Sequence, residues 1–218
     1  MPIKIDMHVH TCYSGDSLTT PSELIAQLKR KRLDGAVITD HDTVLGAIKT
    51  VEANRSSNEK LIIIPGIEVS TRDGHILGVG LTKPIPKGLG VKETIELIHE
   101  AGGITIAAHP QTLFKDGIGL SPKILSLGLD ALEVVNSSLF PFKPLTKMCK
   151  RFAERHNMPQ TAGSDSHMPE TIGLSYTIID VDEVGVDAII EAVRRGSTIP
   201  LGKAVPVSLR IKKILKMK

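Results

Sequence analysis

The chain has 218 residues, 41% of them hydrophobic, which is enough for one full core and within reach of a single β/α barrel over 1–218. No apolar run approaches a membrane span, the opening Ile3-Lys4-Ile5-Asp6 carries no secretory signal, and Cys12 and Cys149 match no zinc spacing, so a reduced, cytoplasmic setting with no membrane partner is expected. The net charge of +3 sits in the tail, where residues 210–218 hold five Lys/Arg and no acid; the rest carries 22 basic against 24 acidic residues, which argues against a broad nucleic-acid-binding face.

Ile3 to Met7 reads as the first strand. Thr20-Pro21-Ser22-Glu23 reads as a capping box with Pro21 at the first helical position, followed by the apolar stripe Leu24, Ile25 and Leu28. Gly35 to Thr39 is a second strand, and a helix follows from Asp42 to Ser56. Leu61 to Ile64 and Ile67 to Ser70 are β-like segments divided by Pro65-Gly66. His75 to Leu81 is another strand, ending in a loop around Pro84 and Pro86. The helix Val91 to Ala101 leads through Gly102-Gly103 into the strand Ile104 to Ala108. Leu132 to Val135, a helix ending near His156, a turn at Ala162-Gly163 and the strand Tyr176 to Ile179 come next. A helix from Val186 to Arg195 ends at Gly196, a natural cap. In the tail, Ile211, Ile214 and Leu215 predict a short helix packed on the body, a reading placed ahead of contact with an anionic partner. Alternating β-branched runs and amphipathic helices predict an α/β fold with a largely parallel sheet.

Most strands finish in a metal-capable or polar residue: Asp6-x-His8-x-His10, Asp40-His41, Glu68, His109, Asn136 and Asp165-x-His167. In a β/α barrel the strand C-termini converge on one mouth. His75 is the exception, because it opens its strand. His8 and His10, two apart, point to the same side of a strand, and Asp165 and His167 repeat that spacing. Imidazole and carboxylate are the ligand set of zinc, manganese and iron.

Asp6-Met7-His8-Val9-His10-Thr11, Ile38-Thr39-Asp40-His41-Asp42-Thr43, Pro65-Gly66-Ile67-Glu68-Val69-Ser70, His75-Ile76-Leu77-Gly78, Ala107-Ala108-His109-Pro110 and Gly163-Ser164-Asp165-Ser166-His167 resemble the motif series of the PHP family, named for its polymerase and histidinol phosphatase members. The resemblance runs from about residue 3 to 200, with the motifs in family order. It implies a distorted seven-stranded β/α barrel, TIM-barrel-like, holding two to three divalent ions (Zn, Mn or Fe). By this resemblance His8, His10, Glu68 and Asp165 hold one ion, and Glu68 bridges to a second completed by His75 and His109. Asp16, His41 and His167 hold the third. Asp16, where some relatives have histidine, resembles the branch of nucleotide phosphatases and exonucleases acting on short nucleic acids. That branch often carries a long insertion after the His75 segment; here only a short Pro/Gly loop follows.

The expected activity is metal-dependent hydrolysis of a phosphomonoester or short phosphodiester, a nucleotide or short oligonucleotide rather than a long strand. Water activated by the ions is the nucleophile, because divalent charge in excess of three carboxylates draws phosphate oxygens and acidifies water. Asp6 and Asp40 are expected to orient ligand imidazoles, and Arg72 and Lys115 are candidates for gripping a substrate phosphate. His99 and His156 read as surface and helix-end residues outside the site. Three other readings are a histidinol-phosphatase-like or other small-molecule phosphatase, an amidohydrolase, and a non-catalytic metal-binding interaction module. The amidohydrolase is disfavoured because Glu68 stands where those barrels use a modified lysine. The interaction module is disfavoured because all nine ligand positions are filled.

Overall fold

The computed structural model describes residues 1–57, 60–112 and 116–216. Its nine strands are β1 (Pro2–Val9), β2 (Gly35–Ile38), β3 (Ile62–Ser70), β4 (His75–Val79), β5 (Ile104–Ala107), β6 (Ala131–Asn136), β7 (Gln160–Gly163), β8 (Ser175–Asp180) and β9 (Thr198–Gly202). They form one sheet in the order β7-β6-β5-β4-β3-β2-β1-β8-β9. The helices are α1 (Pro21–Arg30), α2 (Leu45–Ser56), α3 (Val91–Glu100), α4 (Phe142–Arg155), α5 (Val186–Arg194) and α6 (Val207–Lys216).

The sheet curls into a nearly closed α/β barrel of the TIM type. The segment after β7 meets the end of β1, where Asp165 N donates to His8 O (2.8 Å) and His10 N to Ser166 O (3.0 Å). The resemblance implies seven strands; nine are present among the described residues. β1 to β7 make the barrel wall, and β8 and β9 extend the sheet antiparallel beyond β1. Among the wall strands β4 alone runs antiparallel to both its neighbours. β9 escapes a sequence reading because Pro200 sits within it, tolerable at a sheet edge.

Buried aliphatic residues such as Ile5, Met7, Val37, Ile64, Leu77 and Ile106 pack into one cluster. The four residues of β2 are all buried, as befits a strand covered on both faces. α1 starts with the expected capping box, and its stripe of Leu24, Ile25 and Leu28 is buried.

Three local expectations are corrected. Pro65-Gly66 interrupts nothing: β3 pairs with β2 up to Pro65 and with β4 from Gly66, and it runs through both residues unbroken. Ala162-Gly163 is not a turn but the buried end of β7. A Cβ on Gly163 would lie 2.3 Å from the Cβ of His8, so glycine lets β7 approach β1. In the tail the helix forms, but Ile211, Ile214 and Leu215 are 53%, 62% and 70% exposed. The helix is tied to the body by Arg210 instead, whose guanidinium donates to the carbonyls of Ser138 (3.0 Å) and Leu139 (3.1 Å). Among the described residues no helix is long and apolar enough to cross a membrane.

Candidate metal centre

The strand ends, with the loop between β1 and α1 that carries Asp16, bring all nine residues to one mouth. They form four overlapping groups whose ligand atoms lie within 4.8 Å of one another: His10, Asp16, His41 and His167; His8, His10 and Asp165; His8, Glu68 and His109; and His41, Glu68 and His75. Alternation along β1 buries His8 and His10 side by side, with their Nε2 atoms 3.0 Å apart. His75 joins the cluster from the start of its strand for a topological reason: β4 runs antiparallel, so its first residue pairs with Ser70 at the end of β3.

Glu68 is the centre, with only 1% of its side chain exposed. Its Oε2 faces His8 Nε2 (3.2 Å), His10 Nε2 (3.1 Å) and His41 Nδ1 (3.3 Å). Its Oε1 faces His75 Nδ1 (3.0 Å) and His109 Nε2 (3.1 Å). Asp165 Oδ1 faces His10 Nε2 (3.3 Å) and His167 Nδ1 (3.5 Å), and Asp16 Oδ2 lies 2.9 Å from His167 Nε2 and 3.6 Å from His41 Nε2. His109 and Asp165 adopt positive φ, 31° and 51°, a backbone conformation uncommon for non-glycine residues and concentrated at functional sites.

The electrostatics are those of a crowded ligand set. Burial alone would lower the pKa of His8, but Glu133, Glu68 and Asp165 hold it well above the usual imidazole range. Burial likewise opposes the rise at His10, yet Asp165 and Glu68 bring it to about 9. Burial would raise the Glu68 and Asp165 carboxyls, and the surrounding imidazoles instead hold both well below the usual carboxylate range.

The donor set fits divalent ions. Buried imidazole nitrogens converge on a carboxylate whose two oxygens face separate groups of histidines. Asp16 Oδ1 and His109 Nδ1 are buried with no hydrogen-bond partner among the described residues, which leaves polar valences unmet. Imidazole with carboxylate suits zinc, manganese and iron.

Glu133 was missed by the sequence reading. It is fully buried in β6 and accepts or pairs at both oxygens: His8 Nδ1 lies 3.0 Å from Oε1, and His109 N (2.9 Å) and Asn136 Nδ2 (3.0 Å) donate to Oε2. The available signal was an acid inside the apolar run Ala131-Leu132-Glu133-Val134. Glu133 orients His8, the task expected of Asp6 and Asp40. Those two bond main-chain and hydroxyl donors instead. Asp6 accepts from Ser164 N (2.8 Å) and Gly173 N (2.7 Å), and Asp40 from Thr11 N (2.5 Å) and Thr11 Oγ1 (2.7 Å). They fix the loops that carry the cluster rather than its rings. Outer carboxylates of the Glu133 kind typically contribute about 10- to 100-fold in metal affinity. Glu133→Ala is therefore expected to weaken metal binding by about that factor, read by chelator competition; unchanged affinity would contradict the role.

Arg72 is exposed on the β3–β4 hairpin, with Nη2 turned toward Gly90. Lys115 lies outside the described residues. Asn136 is buried, with Nδ2 also 3.3 Å from Asp165 Oδ2. His99 and His156 stand apart from the cluster, His99 paired with Asp130 (2.7 Å) and His156 against Phe152.

Comparison with known proteins gives three kinds of similarity. A family model described as PHP-associated matches residues 147–198. The uncharacterized protein MJ1587 of Methanocaldococcus jannaschii is 37% identical over 145 residues, 62% of this chain and 82% of that protein. The 5'-3' exoribonuclease Rnm of Salmonella typhimurium is 36% identical over 80 residues, 35% of this chain and 27% of its own. Among solved structures, a two-domain protein of Bacteroides vulgatus containing a predicted PHP-like metal-dependent phosphoesterase superposes with a TM-score of 0.78 at 18% identity, covering 99% of this chain and 70% of that one. With the barrel, the six motifs at its mouth and these relatives in agreement, the chain belongs to the PHP family.

Proposed function

We propose that this protein is a metal-dependent phosphoesterase acting on a nucleotide or short oligonucleotide. The observation that carries the reading is Glu68, one buried carboxylate whose two oxygens face five imidazoles. A carboxylate so placed suits the bridging position between ions. In this reading His8, His10, Glu68 and Asp165 would hold one ion, Glu68, His75 and His109 a second, and Asp16, His41 and His167 a third. Bound there, divalent ions supply Lewis acidity toward phosphate oxygens and acidify water. Glu133 holds the His8 ring, and Asn136 steadies Asp165.

The substrate side is supported by the space next to the cluster. A cavity of about 320 Å³ is lined by His109, Asn136, Asp165, Leu139, Leu145 and Phe140. Phe140 is 77% exposed in a chain with four Phe, two Tyr and no Trp, so one scarce aromatic ring is presented beside the ligand residues. Stacking a base on such a ring is worth about 1–3 kcal/mol. Long strands, by contrast, are held by basic grooves and series of aromatics.

Specificity constants on nucleotides, dinucleotides, ribose 5-phosphate and long single strands, across a range of salt, test the proposal. Nucleotides and dinucleotides are expected to lead. Phe140→Ala should lower their constants about tenfold while leaving ribose 5-phosphate nearly unchanged. A preference for long strands that falls steeply with salt would overturn the substrate assignment.

A further inference from the structure

The basic tail is built into the mouth of the barrel. Arg210 fastens α6 to the loop after β6, donating to the carbonyls of Ser137 (3.3 Å), Ser138 (3.0 Å) and Leu139 (3.1 Å) and back to Val205 (3.3 Å). Its donors are engaged by the main chain, so Arg210 positions the helix. Three residues on, and therefore on the same face, stands Lys213. It lines a cavity of about 340 Å³ together with Ser138, Asp165, His167, Leu209 and Ile214. Two of those residues belong to the metal cluster.

Lys213 differs from its neighbour on the helix. The Lys212 amine pairs with the Glu170 carboxylate and lines neither cavity beside the cluster. Lys213 is partly buried, and among the described residues no hydrogen bond or ion pair satisfies its amine. The nearby Asp165 carboxylate is already engaged by His10, His167 and Asn136. A cation partly withdrawn from water without a partner is unfavourable, and an anion entering the cavity would relieve that cost.

We propose that α6 is a wall of the substrate pocket and that Lys213 binds a phosphate oxygen of the substrate on the His167 side of the cluster. The proposal rests on the phosphoesterase reading for the identity of the anion. Lysine suits the role as a point charge on a flexible stem. The basic tail is thereby assigned to substrate binding, with Arg210 as its anchor and Lys213 as its contact.

The test is the affinity of the manganese-loaded protein for inorganic phosphate, measured by calorimetry, in wild type, Lys213→Ala, Lys213→Arg and Lys212→Ala. Metal content and thermal unfolding are recorded for each. A charge-assisted contact predicts that Lys213→Ala weakens phosphate binding about 10- to 100-fold with metal content unchanged. Lys213→Arg should retain most of the affinity. Lys212→Ala removes the same charge from the same helix outside the cavity and should change affinity less than about threefold, the size of a screened surface effect. Equal weakening by Lys212→Ala and Lys213→Ala would reduce the effect to general charge and overturn the proposal, as would no change in Lys213→Ala. Phosphate bound through Lys213 by a protein that turns over no ester would leave this contact standing and remove the enzyme reading. A metal-loaded protein that binds no phosphate would remove both.

Discussion

Replacing Glu68 with alanine is expected to lower turnover on the order of 1000-fold or more, since Lewis-acid stabilisation is worth several kcal/mol, and to lower the metal content of the purified protein. Glu68 is 1% exposed and faces five imidazoles. No other carboxylate of the cluster touches so many of its members. Asp16 is the informative comparison. Its side chain is 41% exposed and pairs with His167 and His41, so Asp16→Ala should cost less activity and release fewer ions. Glu68→Gln keeps the side chain's shape and discards its charge, which separates packing from ligation. Metal content by elemental analysis and turnover on a nucleotide are measured for all three variants. Equal occupancy with near-native turnover in Glu68→Ala would remove Glu68 from the ligand set.

Much of the site was legible because its chemistry sits where sequence patterns are clearest. His8, His10, Glu68, His109, Asp165 and His167 are polar residues placed at or near strand ends, and the barrel gathers strand ends at one mouth. His75 opens its strand and still joins the site because β4 runs antiparallel; strand direction is a tertiary fact that no local pattern carries. Glu133 was lost for the opposite reason. It stands in mid-strand among apolar neighbours, and only the fold shows that its carboxylate reaches His8 from another strand. Asp6 and Asp40 stand in the expected neighbourhood with other partners: Asp6, two residues before His8, accepts from the His8 main-chain N (3.4 Å) rather than its ring, and Asp40 is held by Thr11.

The fold shows the same division. Most element types and their order followed from hydrophobic periodicity; β7 and β9 did not. The errors fell where a local signal has two meanings: Pro65-Gly66 lies inside one strand rather than between two, and Ala162-Gly163 is a close strand approach rather than a turn. α6 was read as a helix docked by its apolar stripe, yet its attachment is polar and runs through Arg210. Amphipathicity foretold the helix but not the face that would meet the body.

The most direct measurement is turnover after exhaustive chelation and stepwise restoration of divalent ions. The nine residues fall into four overlapping groups, within each of which nitrogens and carboxylate oxygens lie within 4.8 Å of one another, and the buried Asp16 Oδ1 and His109 Nδ1 have no hydrogen-bond partner among the described residues. Such a cluster is chemically incomplete without cations. The account predicts two to three ions bound per chain, phosphoesterase activity on nucleotides lost by on the order of 1000-fold on chelation, and recovery with manganese, zinc or iron in proportion to occupancy. Full phosphoesterase activity in demonstrably metal-free protein would contradict it.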